Sequence, residues 1–250
     1  MQEYTTTTDF GGWYTIASHD DEKTLWLVDS GYPYNHHRCD CVKEFVNLDG
    51  KKEAMDQDGV PPAAVCDMLS KVNVDGILGG QYLADKYVKL MPIRMEASHE
   101  RSYEGKCVDA RNEIANYTSI LVDVCHDDKC VESRCFLDTG GQVAFINQTL
   151  ADSLGFETRV AGTVPSGAGQ VNTYESLSEI TLRAKSDNGD VDLSTPSQMI
   201  TDDNNSILNV IHRKDALRND APFACSIGTG SFSKFNSIYF AKPDDKICFD

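Results

Sequence analysis

Two aspartates in this 250-residue chain stand in the same local setting. Asp29 follows the apolar run Leu25-Trp26-Leu27-Val28 and precedes Ser30-Gly31, while Asp138 follows Cys135-Phe136-Leu137 and precedes Thr139-Gly140. An apolar run ending in Asp-Ser/Thr-Gly reads as a buried strand that delivers a carboxylate into a tight turn. A carboxylate held in that way is a positioned acid or base rather than a solvated charge. One such tripeptide is an ordinary turn signal, since Asp and Gly are favoured in turns of every kind. Two copies suggest a pair. Adjacent carboxylates share one proton, because like-charge repulsion drives their pKa values apart. The ionised member can then activate a water while the protonated member donates to a carbonyl oxygen.

The flanking sequence supplies elements able to hold both turns. From Gly11 to Val28 the pattern is strand, polar turn over Ser18–Lys23, then the strand entering Asp29. The second copy repeats it, with a strand over Asn116–Val124, a turn over His126–Lys129 and a strand over Val131–Leu137. Cys125 and Cys130 flank that turn as a cross-strand or loop disulfide could. After Asp138 come the apolar run Val143–Ile146 and then Asn147 as a helix N-cap. Leu150, Ala151 and Leu154 share the face of a short helix that Gly155 stops. Between the two turns, Asn47–Gly50 is a turn, and Pro61-Pro62 opens a helix with Ala64, Val65, Met68 and Leu69 on one side. Residues 81–112 are mixed and polar after Leu90 and read as a connection. Further on, Gly162–Gly169 reads as a flexible loop; it lacks the Gly-Lys-Ser/Thr ending of a phosphate loop, which argues against nucleotide binding.

Composition narrows the function classes. A formal charge of −16 argues against nucleic-acid and anionic-lipid partners, and the acids lie in short runs that read as solvated surface. The chain is 40% apolar with no uninterrupted apolar stretch near the length of a membrane span. Nine cysteines, at 39, 41, 66, 107, 125, 130, 135, 225 and 248, point to an oxidising compartment, and their odd number leaves a thiol free or paired outside the chain. The opening Met1-Gln2-Glu3-Tyr4 is not a signal peptide, so a secreted protein would be present here in mature or truncated form. Asn116, Asn147 and Asn204 head glycosylation tripeptides. His36, His37, Cys39 and Cys41 crowd together as metal ligands could, but structural zinc sites draw on two spaced pairs. A disulfide-bonded loop is therefore the favoured reading there, and a zinc site using His126 is the weaker alternative near Cys125 and Cys130.

Several features together resemble the pepsin-like aspartic peptidases. They are the two Asp-Ser/Thr-Gly turns, the stretch Asp75-Gly76-Ile77-Leu78-Gly79, the string Leu193-Ser194-Thr195-Pro196-Ser197 followed by acids, the element Ala224–Gly228, and the closing Asp245-Lys246-Ile247-Cys248-Phe249. The resemblance implies an all-β, bilobed fold with two related β-lobes, a cleft between them and a few short helices. It implies a shortened N-terminal lobe over 1–98, with the Asp29 loop and Ile77-Leu78-Gly79, and a C-terminal lobe over 99–250, with the Asp138 loop and Ile227-Gly228. Asp29 and Asp138 would be catalytic; Ser30, Gly31, Thr139 and Gly140 would support their loops. Ile77, Leu78, Gly79, Ile227 and Gly228 would back them. The implied activity is that of a monomeric aspartic endopeptidase hydrolysing an extended peptide or protein in the cleft at acidic pH. It would need no metal or organic cofactor and would sit in a secreted or lysosomal/vacuolar location. The placement of Cys39 after Asp29 is similar to the nepenthesin and xylanase-inhibitor branch.

Three departures from the family pattern bear on activity. The residue after each Asp-Ser/Thr-Gly, which in active members carries a hydroxyl hydrogen-bonded to the catalytic carboxylate, is here Tyr32 or Gly141. The distance along the chain from Asp29 to Ile77 is little more than half that from Asp138 to Ile227, and no flap tyrosine is evident in the shortened part. Ser226 stands where an apolar residue is usual. A catalytically inactive pepsin-fold binding or inhibitor protein is therefore the alternative function. A dimeric single-lobe peptidase of the retroviral kind, using Asp138 alone, is disfavoured by the motif set around Asp29.

Overall fold

The structure, a computed structural model, describes residues 13–19, 22–32, 35–37, 44–46, 52–54, 66–67, 69–70, 74–91, 94–112, 117–166, 169–195, 198–202 and 223–250. The helix expected after Pro61-Pro62 falls largely outside these residues, and Cys39, Cys41, the Asn47–Gly50 turn, Asn116 and the tripeptide headed by Asn204 fall wholly outside them.

Both apolar runs that enter the aspartates form central strands with each face covered, which is why they lack the alternation of a half-exposed strand. In Glu22–Val28, Trp26 and Val28 join the main core, whereas Leu27 packs with Leu69, Val74 and Ile77 on the other face. In Lys129–Asp138, Cys135, Phe136 and Leu137 are all buried. Each run is the second arm of an antiparallel hairpin. Trp13–His19 pairs with Glu22–Val28, and Thr118–His126 pairs with Lys129–Asp138.

The described residues are mostly β, in two sheets with a few short helices. The six-stranded sheet runs in the order His36–His37, Gly76–Leu78, Glu22–Val28, Trp13–His19, Glu44–Val46, Lys52–Ala54. The 14-stranded sheet begins at the edge with the hairpin Thr158–Ser166 and Gly169–Ser176, then passes through Gln198–Thr201, Ala144–Asn147, Phe223–Gly228, Lys129–Asp138 and Thr118–His126. It continues through Lys106–Asn112, Lys246–Phe249, Ile238–Ala241, Tyr87–Met91 and Arg94–Ser98, with Thr181–Ala184 paired to Thr118–His126 off this path and Val191–Asp192 paired to Thr181–Ala184. One apolar cluster reaches from Trp26, Val28 and Leu78 to Leu137, Ile227 and Phe240, so the two sheets share a core.

Two expectations need correction. Residues 81–112 are no plain connection: they contain the strands Tyr87–Met91, Arg94–Ser98 and Lys106–Asn112, which hydrogen-bond into the larger sheet. Val88 and Leu90 point inward between half-buried Tyr87, Lys89 and Met91, an alternation masked by the lysine. The expected loop over 162–169 is mainly hairpin arm, paired as Thr163↔Asn172 and Val164↔Val171, with the register break at Gly162, whose φ of 147° suits glycine. The helix Gln148–Leu154 forms as its caps require. Asn147 Oδ1 accepts from the Leu150 N–H at 2.9 Å, and Gly155 turns left-handed at φ 79°.

Disulfides join Cys107 to Cys248, Cys125 to Cys130 and Cys135 to Cys225, and Cys66 is disulfide-bonded as well. These bonds are compatible with an oxidising compartment. Among the described residues no helix is long and apolar enough to cross a membrane.

Candidate active site

Each aspartate leaves the end of its central strand where a short parallel strand runs alongside. Trp26, Leu27 and Val28 pair with Gly76, Ile77 and Leu78, and the Asp29 N–H donates to the Leu78 carbonyl at 2.9 Å. In the second copy Cys135, Phe136, Leu137 and Asp138 pair with Cys225, Ser226, Ile227 and Gly228. The chain then returns on the far side of the backing strand, pairing His36 with Ile77 in one copy and Phe145 with Ser226 in the other. A further hydrogen bond closes each loop: Gly80 N–H to the Tyr32 carbonyl at 2.7 Å, and Thr229 N–H to the Gly141 carbonyl at 2.8 Å. The helices Gly80–Leu83 and Thr229–Phe232 start there. One hydrogen-bonding plan is thus built twice, and Ile77, Leu78, Gly79, Ile227 and Gly228 back the two loops. Gly228 fits because a Cβ would meet the Val143 carbonyl at 2.6 Å and the Gly141 carbonyl at 2.8 Å.

The two copies cross-bond through the residues after the aspartates. Ser30 N–H donates to Thr139 Oγ1 at 2.9 Å, and Thr139 N–H donates to Ser30 Oγ at 3.1 Å. Each hydroxyl then donates onward across the junction, Ser30 Oγ to the Leu137 carbonyl at 2.7 Å and Thr139 Oγ1 to the Val28 carbonyl at 2.6 Å. Both side chains are 0% exposed, so these bonds are made away from competing water.

This crossing brings Asp29 and Asp138, both half-buried, into a hydrogen-bonded pair. Gly31 and Gly140 make the approach possible. A Cβ on Gly31 would lie 2.5 Å from Asp138 Cγ, and one on Gly140 would collide with the Asp29 carboxylate. The two carboxyls are not equivalent. Asp138 Oδ1 accepts from the N–H groups of Gly140 at 3.1 Å and Gly141 at 2.8 Å, whereas Asp29 Oδ1 accepts from Gly31 at 2.9 Å. Burial, and then the charge of Asp138, hold the Asp29 carboxyl well above the ordinary carboxylate range. Burial also raises Asp138, but its N–H donors and the bond from Asp29 pull it back. The pair thus holds a proton between them, and the two N–H donors on Asp138 Oδ1 favour the charge on that side.

At Gly141 the absent hydroxyl is replaced by the backbone itself. The Gly141 N–H bonds the carboxylate, and a Cβ would stand 2.7 Å from Asp138 Oδ2. At Tyr32 the chain turns differently. Its N–H goes to the Asp29 main-chain carbonyl at 3.2 Å, and its side chain packs against the cluster of Leu27, Leu69, Val74 and Ile77, with the ring centroid 5.3 Å from that of His36.

Three supporting features were missed in the sequence. Asn35, buried, accepts the Gly79 N–H on Oδ1 at 2.9 Å and so anchors the backing strand of the first loop. Trp26 lies against Gly76, where a Cβ would stand 2.5 Å from two carbons of the indole. At the matching positions of the second copy, Cys135 and Cys225 are bonded. The conspicuous Gly76 beside Trp26 and the two cysteines each placed just before a loop were the available signals.

Among the described residues no group of three or more His, Cys, Asp or Glu is placed to hold a metal. His126 is engaged at both ring nitrogens, Nδ1 with the Leu154 carbonyl at 3.1 Å and Nε2 with Ser178 Oγ at 2.8 Å, which argues against a zinc site there. The sequence matches no protein-family model and no curated protein.

Proposed function

We propose that this chain is an aspartic endopeptidase with the bilobed, pepsin-like architecture, working through Asp29 and Asp138 on a single water. The observation that carries the reading is the reciprocal crossing of Ser30 and Thr139, which forces two carboxyls from distant parts of the chain to share a proton. An acidic pair with no such use would be relieved by separating the charges. In the proposed reaction Asp138, as carboxylate, takes a proton from the water as its oxygen attacks the scissile carbonyl. Asp29 gives its proton to the carbonyl oxygen, producing a neutral gem-diol. Collapse breaks the C–N bond as a proton passes to the leaving nitrogen. Activity then falls at the alkaline end as Asp29 loses its proton and at the acid end as Asp138 gains one. An extended peptide or protein substrate would lie in the cleft between the lobes, and the disulfides fit a monomer in a secreted or lysosomal/vacuolar setting.

One observation favours the alternative of a non-catalytic binding or inhibitor protein on the same scaffold. Tyr32 packs its ring against an apolar cluster in the position where active members present a short hydroxyl to the carboxylate. Hydrolysis in heavy-oxygen water separates the two. The enzyme reading predicts one heavy oxygen in each new carboxyl terminus from a single turnover, and no acyl-enzyme captured by hydroxylamine. A captured acyl-enzyme would refute the activated-water mechanism, and intact substrate across about pH 3 to 7 would establish the binding protein.

A further inference from the structure

We propose that the Cys135–Cys225 disulfide is a positioning element for the carboxyl pair, fixing the Asp138 loop at the separation from Asp29 that the shared proton requires. The inference rests on the reading of Asp29 and Asp138 as the working pair.

The bond lies between the strand that delivers Asp138 and the strand that backs it, and both cysteines are 0% exposed. Its place along the ladder matters more than its burial. Arg134 pairs with Phe223 and Cys135 with Cys225, so Ala224 is an extra residue and the register shifts between these pairs. A register slip by one residue sends every following side chain to the opposite face. The disulfide clamps the two strands at the first pair after the shift, and the pairs Phe136↔Ser226, Leu137↔Ile227 and Asp138↔Gly228 follow from it. From there the path to the carboxylate is short. Thr229, next to Gly228, donates to the Gly141 carbonyl at 2.8 Å, and the Gly141 N–H donates to Asp138 Oδ1 at 2.8 Å. A backing strand displaced by a fraction of a residue would carry away a donor that stabilises the Asp138 charge.

The first copy solves the same problem without a covalent bond. Trp26 pairs with Gly76 at the equivalent point, and the indole occupies the space where a Cβ would be. That ladder runs unbroken from Trp26 to Val28. The covalent clamp is found in the copy whose ladder is interrupted.

The test compares the wild type with Cys135→Val/Cys225→Ala, which removes the bond while roughly conserving volume. Cys125→Ala/Cys130→Ala serves as a control at the distant hairpin turn. The aspartate carboxyls are followed by carbon NMR titration in samples shown to be folded, alongside kcat and KM. We expect kcat to fall about 100-fold with KM little changed and the Asp29 titration to move back toward the ordinary carboxyl range; the control should alter neither. Cys135→Trp/Cys225→Gly, the brace of the first copy, should restore part of both. A folded Cys135→Val/Cys225→Ala protein with unaltered kcat and carboxyl titration would overturn the proposal and leave the bond a stabilising cross-link. The titration does not depend on turnover, so an inactive wild type would count against the peptidase reading alone.

Discussion

Replacing Ser30 by Ala removes two hydrogen bonds from a place where no water can substitute for them. The Leu137 carbonyl loses its donor at 2.7 Å and the Thr139 N–H loses its acceptor at 3.1 Å, while Ser30 itself is fully buried. A buried polar group left unpaired costs about 1–3 kcal/mol, so the loss at two groups should destabilise the fold by about 2–6 kcal/mol. Against a total stability of about 5–15 kcal/mol that is a large fraction. Thr139→Ala orphans the Ser30 N–H and the Val28 carbonyl and should cost as much. Thr139→Ser keeps both bonds and should cost about 1 kcal/mol for the lost methyl group. Urea unfolding near pH 6 measures these values as shifts in midpoint at constant slope. Each hydroxyl makes two bonds in which the other takes no part, so the double substitution Ser30→Ala/Thr139→Ala should cost close to the sum of the two singles. A Ser30→Ala protein within about 0.5 kcal/mol of the wild type, at unchanged slope, would refute the crossed arrangement.

Other substitutions probe the loops and the carboxyls. Gly141→Ser brings in a hydroxyl beside the carboxylate, yet its Cβ would stand 2.7 Å from Asp138 Oδ2. We expect lower kcat and a loss of about 1–3 kcal/mol; a gain in activity would show that the loop is not closed on the carboxylate. Gly76→Ala sets a Cβ against both the His36 main-chain carbonyl and the Trp26 indole and should cost a similar amount in the same unfolding assay, with Trp26→Leu/Gly76→Ala recovering only the part due to the indole. The raised carboxyl of Asp29 gives a signed pH effect. Its proton is held more tightly in the folded than in the unfolded chain, so it favours folding fully below the ordinary value of 3.8 and loses that contribution as pH rises through the folded pKa. Asp29→Asn should therefore be more stable than the wild type at pH 7 and show no such advantage at pH 3, as read from melting temperatures. An equal difference at both pH values would mean that Asp29 is not held protonated.

Much of the site was legible because its determinants are local. The apolar runs into Asp29 and Asp138, the cap at Asn147 and the stop at Gly155 are all decided within a few residues, and each formed where the pattern put it. What stayed hidden depends on partners far along the chain. Tyr87–Met91 becomes a strand by pairing with Ile238–Ala241, which its own lysine-interrupted pattern does not announce. The stretch Gly162–Gly169 looked loop-like because glycine and polar residues suit an edge hairpin as well as a loop. Asn35 carries no signal at all until Gly79 is seen beside it. The link between Cys135 and Cys225 could not be chosen from nine cysteines by counting.

The central claim is that Asp29 and Asp138 act together on one water. Its most direct test is the rate at which an unfolded protein substrate is cleaved near pH 4 by the wild type, Asp29→Asn and Asp138→Asn, each confirmed folded. The account predicts cleavage by the wild type and a loss of at least about 1,000-fold in either variant, since the two carboxyls work as a unit. Cleavage that survives the removal of either aspartate would contradict it.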